Sequence, residues 1–259
     1  MNNTYKPVVY LIAGPNGAGK TTSAFKLLPE NIGIQEFVNA DTIAAGLSAF
    51  NSSSVAFQAG RILLNRIKEL AAKNKNFAFE STLSSKSFYP FLKNLKNKGY
   101  VINLIYIWLR NETIAVERVK QRYASGGQHF IPDDIVKRRY FRSINNLVSL
   151  YIPISDNWKI YDNSYISIEL IAEKGNDDRI KIYSANRFNK VMNQNVKEPE
   201  VKYSADKITQ AMKEAIDEEL EKRKKLGLPI VVWKDGKVVH LTGEQYDALK
   251  KIEREKENR

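Results

Sequence analysis

The 259-residue chain has no cysteine and only two histidines. Disulfides, thiolate chemistry and a Cys-based zinc site are therefore excluded, and a His-based metal centre is disfavoured. No segment approaches the roughly 20 consecutive apolar residues of a membrane span. The N-terminal stretch MNNTYKPVVYLIAGPNG has neither the basic start nor the longer apolar core and small-residue cleavage site of a secretory signal. These absences lead to the expectation of a cytoplasmic protein without a membrane partner. The chain also lacks an ABC-type signature, a later apolar run ending in Asp-Glu, and an N-K-x-D base-recognition motif.

What is present suits a globular domain: 43% of residues are hydrophobic. The formal charge of +12 is unevenly spread. Residues 197–259 hold 15 Lys and Arg against 14 Asp and Glu, so the first 196 residues carry +11. A basic domain attracts nucleotides, phosphorylated metabolites or nucleic acid, and charge alone does not choose among them.

Apolar runs alternate with helical patterns. Strands are expected at 8–13, 36–41, 77–82, 101–109 and 158–164, with amphipathic helices at 54–74 and 87–99 between them. Strands separated by helices rather than hairpins imply βαβ units and a mostly parallel sheet. The fold class is therefore α/β, a mostly parallel sheet flanked by helices. Its first domain spans 1–192. The polar stretch 193–204, with Pro199, reads as a linker. Residues 205–259 read as a small α+β appendage: a charged helix over 205–226 with Ile208, Met212, Ile216 and Leu220 on one face, a hairpin over 229–242 turning at Asp235-Gly236, and a last helix. Trp108, Trp158 and Tyr161 lie in apolar strands and read as core.

The stretch GPNGAGKTT fits G-x-x-x-x-G-K-[ST] and lies between a strand and a helix-like segment, the context that motif requires. Gly14, Pro15, Asn16, Gly17, Ala18 and Gly19 form a loop whose backbone N–H groups can wrap phosphates. Lys20 reaches the β/γ oxygens, the Thr21 hydroxyl is a Mg²⁺ ligand, and Thr22 follows it. Asp41 ends the next strand candidate. It can act as a general base, or it can simply cap a helix starting at Thr42. Glu80, Ser81 and Thr82 end the third strand candidate, where acceptor contact competes with turn capping. Arg118 and Arg122, at i and i+4, share a helix face. Arg138, Arg139 and Arg142 follow the loop YASGGQHFIP. Arginine suits such a cluster because its planar fork pairs with phosphate oxygens. Asp162 and Asn163 end the fifth strand candidate as a polar turn or as neighbours of a nucleotide base.

Together, GPNGAGKTT, FVNADTIAAGLSAF, FAFESTLSS, ERVKQRYASGGQHFIPDDIVKRRYFRSINNL and WKIYDNS resemble the zeta-toxin family of P-loop kinases, in particular its stand-alone zeta-like branch. The resemblance covers about residues 7–187. It implies ATP and Mg²⁺ as cofactors and a small-molecule acceptor, in characterised members the sugar 3′-hydroxyl of UDP-N-acetylglucosamine and related UDP-amino sugars. It makes Asp41 the general base and assigns Glu80, Ser81 and Thr82 to the acceptor pocket. The arginines become a lid, with Arg118, Arg122 and Arg139 as catalytic candidates. One departure is visible: Gln128 precedes His129 where the family has Gly-Gly-His, so His129 reads as a surface residue. The hairpin GLPIVVWKDGKVVHLT is faintly similar to short separate partners of zeta-like kinases. An antitoxin in trans, or 205–259 acting as one in cis, is thus an expectation beside the plainer reading of a structural appendage. A nucleic-acid end kinase and a non-catalytic nucleotide-binding module are the competing functions. Nucleic acid is the less expected partner, because no aromatic–basic interleaving marks a strand-binding groove.

Overall fold

The computed structural model describes residues 6–24, 34–49, 52–125, 131–193, 205–234 and 237–257. Two compact units divide at Pro199 and Glu200.

The first unit is built on a seven-stranded sheet with the order β2-β3-β1-β4-β5-β6-β7. Its strands are β1 (Val8–Ala13), β2 (Phe37–Val38), β3 (Phe77–Ser81), β4 (Val101–Trp108), β5 (Asn157–Asp162), β6 (Glu169–Lys174) and β7 (Ile180–Ile182). The first five pair in parallel. In β1 and β4 the apolar runs are nearly unbroken, and Leu11, Ile12, Ala13 and Leu104–Trp108 are buried. A strand covered on both faces requires that pattern. The helices are α1 (20–24), α2 (Ala40–Leu47), α3 (Ala56–Ala72), α4 (Phe88–Asn97), α5 (Glu112–Ala124), α6 (Asp133–Asn146), a short α7 (Ile152–Ile154) and α8 (Ala185–Met192). In α3, Ala59, Leu63, Ile67 and Leu70 are buried at helical spacing and form its core stripe.

From β1 the chain crosses to β2, returns through β3, and then moves to β4 on the other side of β1. The direction of winding reverses at β1. In open parallel sheets, ligands bind at such a reversal, beyond the carboxyl ends of the strands. Helix α6 is fastened over that end. The buried Tyr140 hydroxyl donates to the Leu109 carbonyl (2.7 Å), the Tyr106 and Ser143 hydroxyls pair (2.8 Å), and Asn146 Nδ2 donates to the Leu83 carbonyl (2.7 Å). Burial raises the pKa of Tyr106, so its hydroxyl stays neutral.

Three expectations are corrected. The second strand is only two residues long, because Asn39 caps a helix that begins at Ala40. Asp41 is therefore inside the first turn and is not the cap. The sheet also continues past the fifth strand: β6 returns antiparallel on β5, and β7 antiparallel on β6. The turn GNDD (175–178) between the short runs ELIAEK and IKI carried that signal. Trp108 and Trp158 are buried as expected, while Tyr161 is only partly so.

The second unit holds α9 (Ala205–Lys225), a hairpin of β8 (Ile230–Lys234) and β9 (Lys237–Leu241), and α10 (Gly243–Glu257). Lys224 ties α9 to α10 through Asp247 (2.7 Å), and Arg223 donates to the Pro229 carbonyl before the hairpin. Residues 194–204 of the expected linker 193–204, the turn at Asp235-Gly236 and the side chains of Ile208, Met212 and Trp233 lie outside the described residues. Ile216 is exposed. Among the described residues, no helix is long and apolar enough to cross a membrane.

Replacing Asn146 by the similarly shaped leucine leaves the buried Leu83 carbonyl without its donor. We expect a loss of about 1–3 kcal/mol in urea unfolding. A loss below about 0.5 kcal/mol, the size of an ordinary surface change, would show that this bond does not anchor α6.

Candidate active site

In the glycine loop that follows β1, side chains are excluded at Gly14 and Gly19. Gly14 has φ +145°, and a Cβ there would lie 2.3 Å from the Ile107 carbonyl oxygen. At Gly19 (φ +81°) it would lie 2.7 Å from Asn163 Nδ2, whose amide also donates to the Ala18 carbonyl (2.8 Å). Only glycine fits such positions, and the loop's backbone is thereby free to approach a ligand. Lys20 opens α1 with its ammonium bonded to the Pro15 carbonyl (3.1 Å). A helix N-terminus beneath a glycine loop is an anion site by geometry and by dipole.

Glu80 lies at the centre of the site. Its carboxylate accepts from the Thr21 hydroxyl (2.7 Å) and from Asn39 Nδ2 (2.7 Å), and it faces Lys20 Nζ at 3.5 Å. Lys20 and Glu80 side chains are 7% and 9% exposed, so each charge depends on the other for compensation. Asn39 has two roles. Its Oδ1 caps α2 by accepting from Asp41 N and Thr42 N, while its Nδ2 holds Glu80. Asn39 was missed in the sequence, although an Asn at a strand end before an acidic first turn is a recognisable cap signal.

A cleft of about 740 Å³ opens over this network, lined among the described residues by the cations Lys20, Arg61, Arg118, Arg122 and Arg139 and the carboxylates Asp41 and Glu80. Asp41 is exposed on its wall. Arg139 shares the cleft with Asp41: burial and the neighbouring Arg138 lower its pKa, and the charge of Asp41 acts against them. Its guanidinium remains charged at any physiological pH. Of the expected arginines, Arg118, Arg122 and Arg139 reach the cleft; Arg138 and Arg142 do not line it. His129 lies outside the described residues. Ser81 and Thr82 also line the cleft, but their hydroxyls serve the following turn, through Leu83 N (3.1 Å) and Ser84 Oγ (2.8 Å). Asp162 is not in the cleft. It is buried, accepts from Ser164 and pairs with Arg187 at 3.4 Å, a structural arrangement at the end of β5. Phe57, Gly60 and Arg61 on α3, and Phe88 on α4, are lining residues that sequence reasoning did not identify.

Magnesium suits these residues. The Thr21 hydroxyl and the Glu80 carboxylate are hard oxygen donors side by side. Among the described residues there is no cluster of three or more His, Asp or Glu that would cage a metal, so nucleotide phosphates and water would supply the other ligands, as Mg²⁺ prefers.

The fold and the glycine loop define a P-loop α/β protein of the kinase-like class. The family model of the zeta toxin matches residues 1–197, and the chain belongs to that family. A protein of Haemophilus influenzae without assigned function is 34% identical over 127 residues, covering 49% of this chain and 88% of its own. Among solved structures, the AvrRxo1-ORF1:-ORF2 complex with ATP is similar with TM-score 0.61 and 16% identity, over 75% of this chain and 66% of that one. This chain thus spans slightly less than two thirds of that neighbour. The PezAT chromosomal toxin–antitoxin system of Streptococcus pneumoniae is similar with TM-score 0.51 and 17% identity, over 84% and 89%. At such identities the structural likeness is one of fold.

Asn163→Ala removes one of the bonds that hold the glycine loop. At about 1 kcal/mol per hydrogen bond, ATP affinity measured by calorimetry should fall roughly fivefold. Unchanged affinity would mean that the loop holds its shape without Asn163.

Proposed function

We propose that this protein transfers the γ-phosphoryl group of ATP, bound with Mg²⁺, to a hydroxyl of a small molecule. The observation that carries the reading is the position of Asp41: an exposed carboxylate in the same cleft as Lys20 and Arg139. The glycine loop and Lys20 would hold the β- and γ-phosphates. Thr21 and Glu80 would hold the metal, which neutralises charge on the transferring group. The acceptor oxygen attacks γ-phosphorus, the bond to the β–γ bridging oxygen breaks, ADP leaves, and the acceptor proton passes to Asp41. Arg118, Arg122 and Arg139 would stabilise the charge on the equatorial oxygens.

Family membership favours a UDP-amino sugar such as UDP-N-acetylglucosamine as the acceptor. It also favours action as a toxin restrained by an antitoxin, supplied as a separate chain or by residues 205–259. In this reading Glu80 has a different part from the one expected of it, serving the metal and phosphates first, with Ser81 and Thr82 left on the acceptor side.

Incubating the protein with γ-labelled ATP, Mg²⁺ and UDP-amino sugars should give a phosphorylated sugar nucleotide, and Lys20→Ala should give none. Asp41→Asn should lower kcat by about 10²–10⁴, the usual contribution of a general base, while ATP affinity stays within about threefold. Turnover near that of the wild type in Asp41→Asn would remove the general-base assignment.

A further inference from the structure

Among the described residues, the non-glycine residues with a left-handed backbone are Asn74, Asp178 and Leu83. Asn and Asp tolerate that conformation because their short polar side chains bond locally. Leucine has no such compensation, so Leu83 (φ +54°) must be held there by its surroundings. It is fully buried, and it follows Ser81 and Thr82, which line the cleft at the end of β3. Its N–H donates to the Ser81 hydroxyl (3.1 Å), and its carbonyl accepts from Asn146 Nδ2 (2.7 Å). Backbone strain that the surrounding structure over-determines clusters at functional sites.

Asn146 is the last residue of α6, and a π turn (Leu147–Tyr151) follows it directly. There the Ile152 N–H bonds to the Leu147 carbonyl, an i→i+5 bond. Such wide turns inside helices recur at functional sites. This one has a geometric effect. Tyr151 donates to the Ser85 carbonyl (3.3 Å), and its ring stands edge-on to Tyr89 at 6.4 Å between centroids. Asn146 and Tyr151 therefore grip one loop, 82–87, at two of its carbonyls. On an ordinary α-helix, residues five apart point about 140° away from each other. A turn closed by i→i+5 bonds brings them to one side. The same helix carries Arg139 to the cleft, and Asn146 lies about two turns further along that face.

We propose that this π turn is a clamp that positions the cleft wall formed by Ser81 and Thr82, with Asn146 and Tyr151 as its positioning residues. Neither lines the cleft. They act through the carbonyls of Leu83 and Ser85. Without them little offsets the cost of a left-handed leucine. The loop then relaxes and moves the Thr82 hydroxyl, which is paired with Ser84 Oγ inside it (2.8 Å). The proposal rests on the phosphotransfer reading for the substrate that responds: this wall stands on the acceptor side, so the acceptor, and not ATP, feels its loss.

The test uses the full-length protein and two variants. Asn146→Leu removes the amide donor. Tyr151→Phe removes one hydroxyl and keeps the ring, so the core stays filled. With UDP-N-acetylglucosamine as acceptor, each variant should raise the acceptor KM about fivefold, the equivalent of one hydrogen bond of about 1 kcal/mol, and leave the KM for ATP within about twofold. A merely structural role would lower the active fraction, and so the apparent kcat, with both KM values unchanged. That result would overturn the proposal. Amide hydrogen exchange read by mass spectrometry needs no acceptor. Segment 82–87 should exchange about fivefold faster in each variant, while β1 and β4 exchange as in wild type. Equal exchange of 82–87 in wild type and both variants sinks the clamp. Faster exchange there, in a protein that transfers phosphate to no acceptor, upholds the clamp and sinks the kinase reading alone.

Discussion

Glu80 receives the Thr21 hydroxyl and the Asn39 amide on one oxygen and faces Lys20 with the other. The rest of the site depends on this arrangement. A carboxylate and an ammonium, both almost fully buried, are costly to remove from water, and removing one partner strands the other at about 3–5 kcal/mol. The loop, the first helix, β2 and β3 are thereby held in one geometry. Through Asn39 the same carboxylate is coupled to the cap of α2, and so to the position of Asp41 two residues further on.

The sheet order explains why these groups meet. Winding outward from β1 to β2, back through β3 and across to β4 brings the ends of three strands around one reversal point. Asp41, Glu80 and Arg61 arrive from the β2–β3 side, and Arg118, Arg122 and Arg139 from α5 and α6 on the β4 side. The buried bonds of Tyr140, Ser143 and Asn146 hold α6 in place, and with it Arg139 on the wall of the cleft. A basic cleft with one exposed carboxylate is the outcome.

Much of this was legible in the sequence. Unbroken apolar runs marked β1, β3 and β4, since only strands covered on both faces tolerate them. The glycine loop was readable because its constraint is local: each residue's role depends on near neighbours. Asp41 stood out as an acid ending an apolar run and Arg118 and Arg122 as an i, i+4 pair, while the roles expected of them came from the family resemblance. The central position of Glu80 was not readable, because its partners are 41 and 59 residues away and only the sheet brings them together. Arg61 and Phe57 stayed hidden among ordinary helix residues. No local pattern distinguishes a cleft-facing arginine from a solvated one. The β6–β7 extension was overlooked because its strands are short and follow a polar turn.

Membership of the zeta-toxin family and a glycine loop under a basic cleft both support a phosphotransferase. The central claim is that Glu80 and Thr21 act as one unit in presenting metal-bound nucleotide phosphates to Asp41. The most direct test is a double-mutant cycle of Glu80→Gln and Thr21→Val on ATP affinity, measured with Mg²⁺ and again with chelator. The account predicts strong non-additivity with Mg²⁺, a coupling of about 1 kcal/mol or more, that shrinks when the metal is removed. Additive effects in the presence of Mg²⁺ would contradict it.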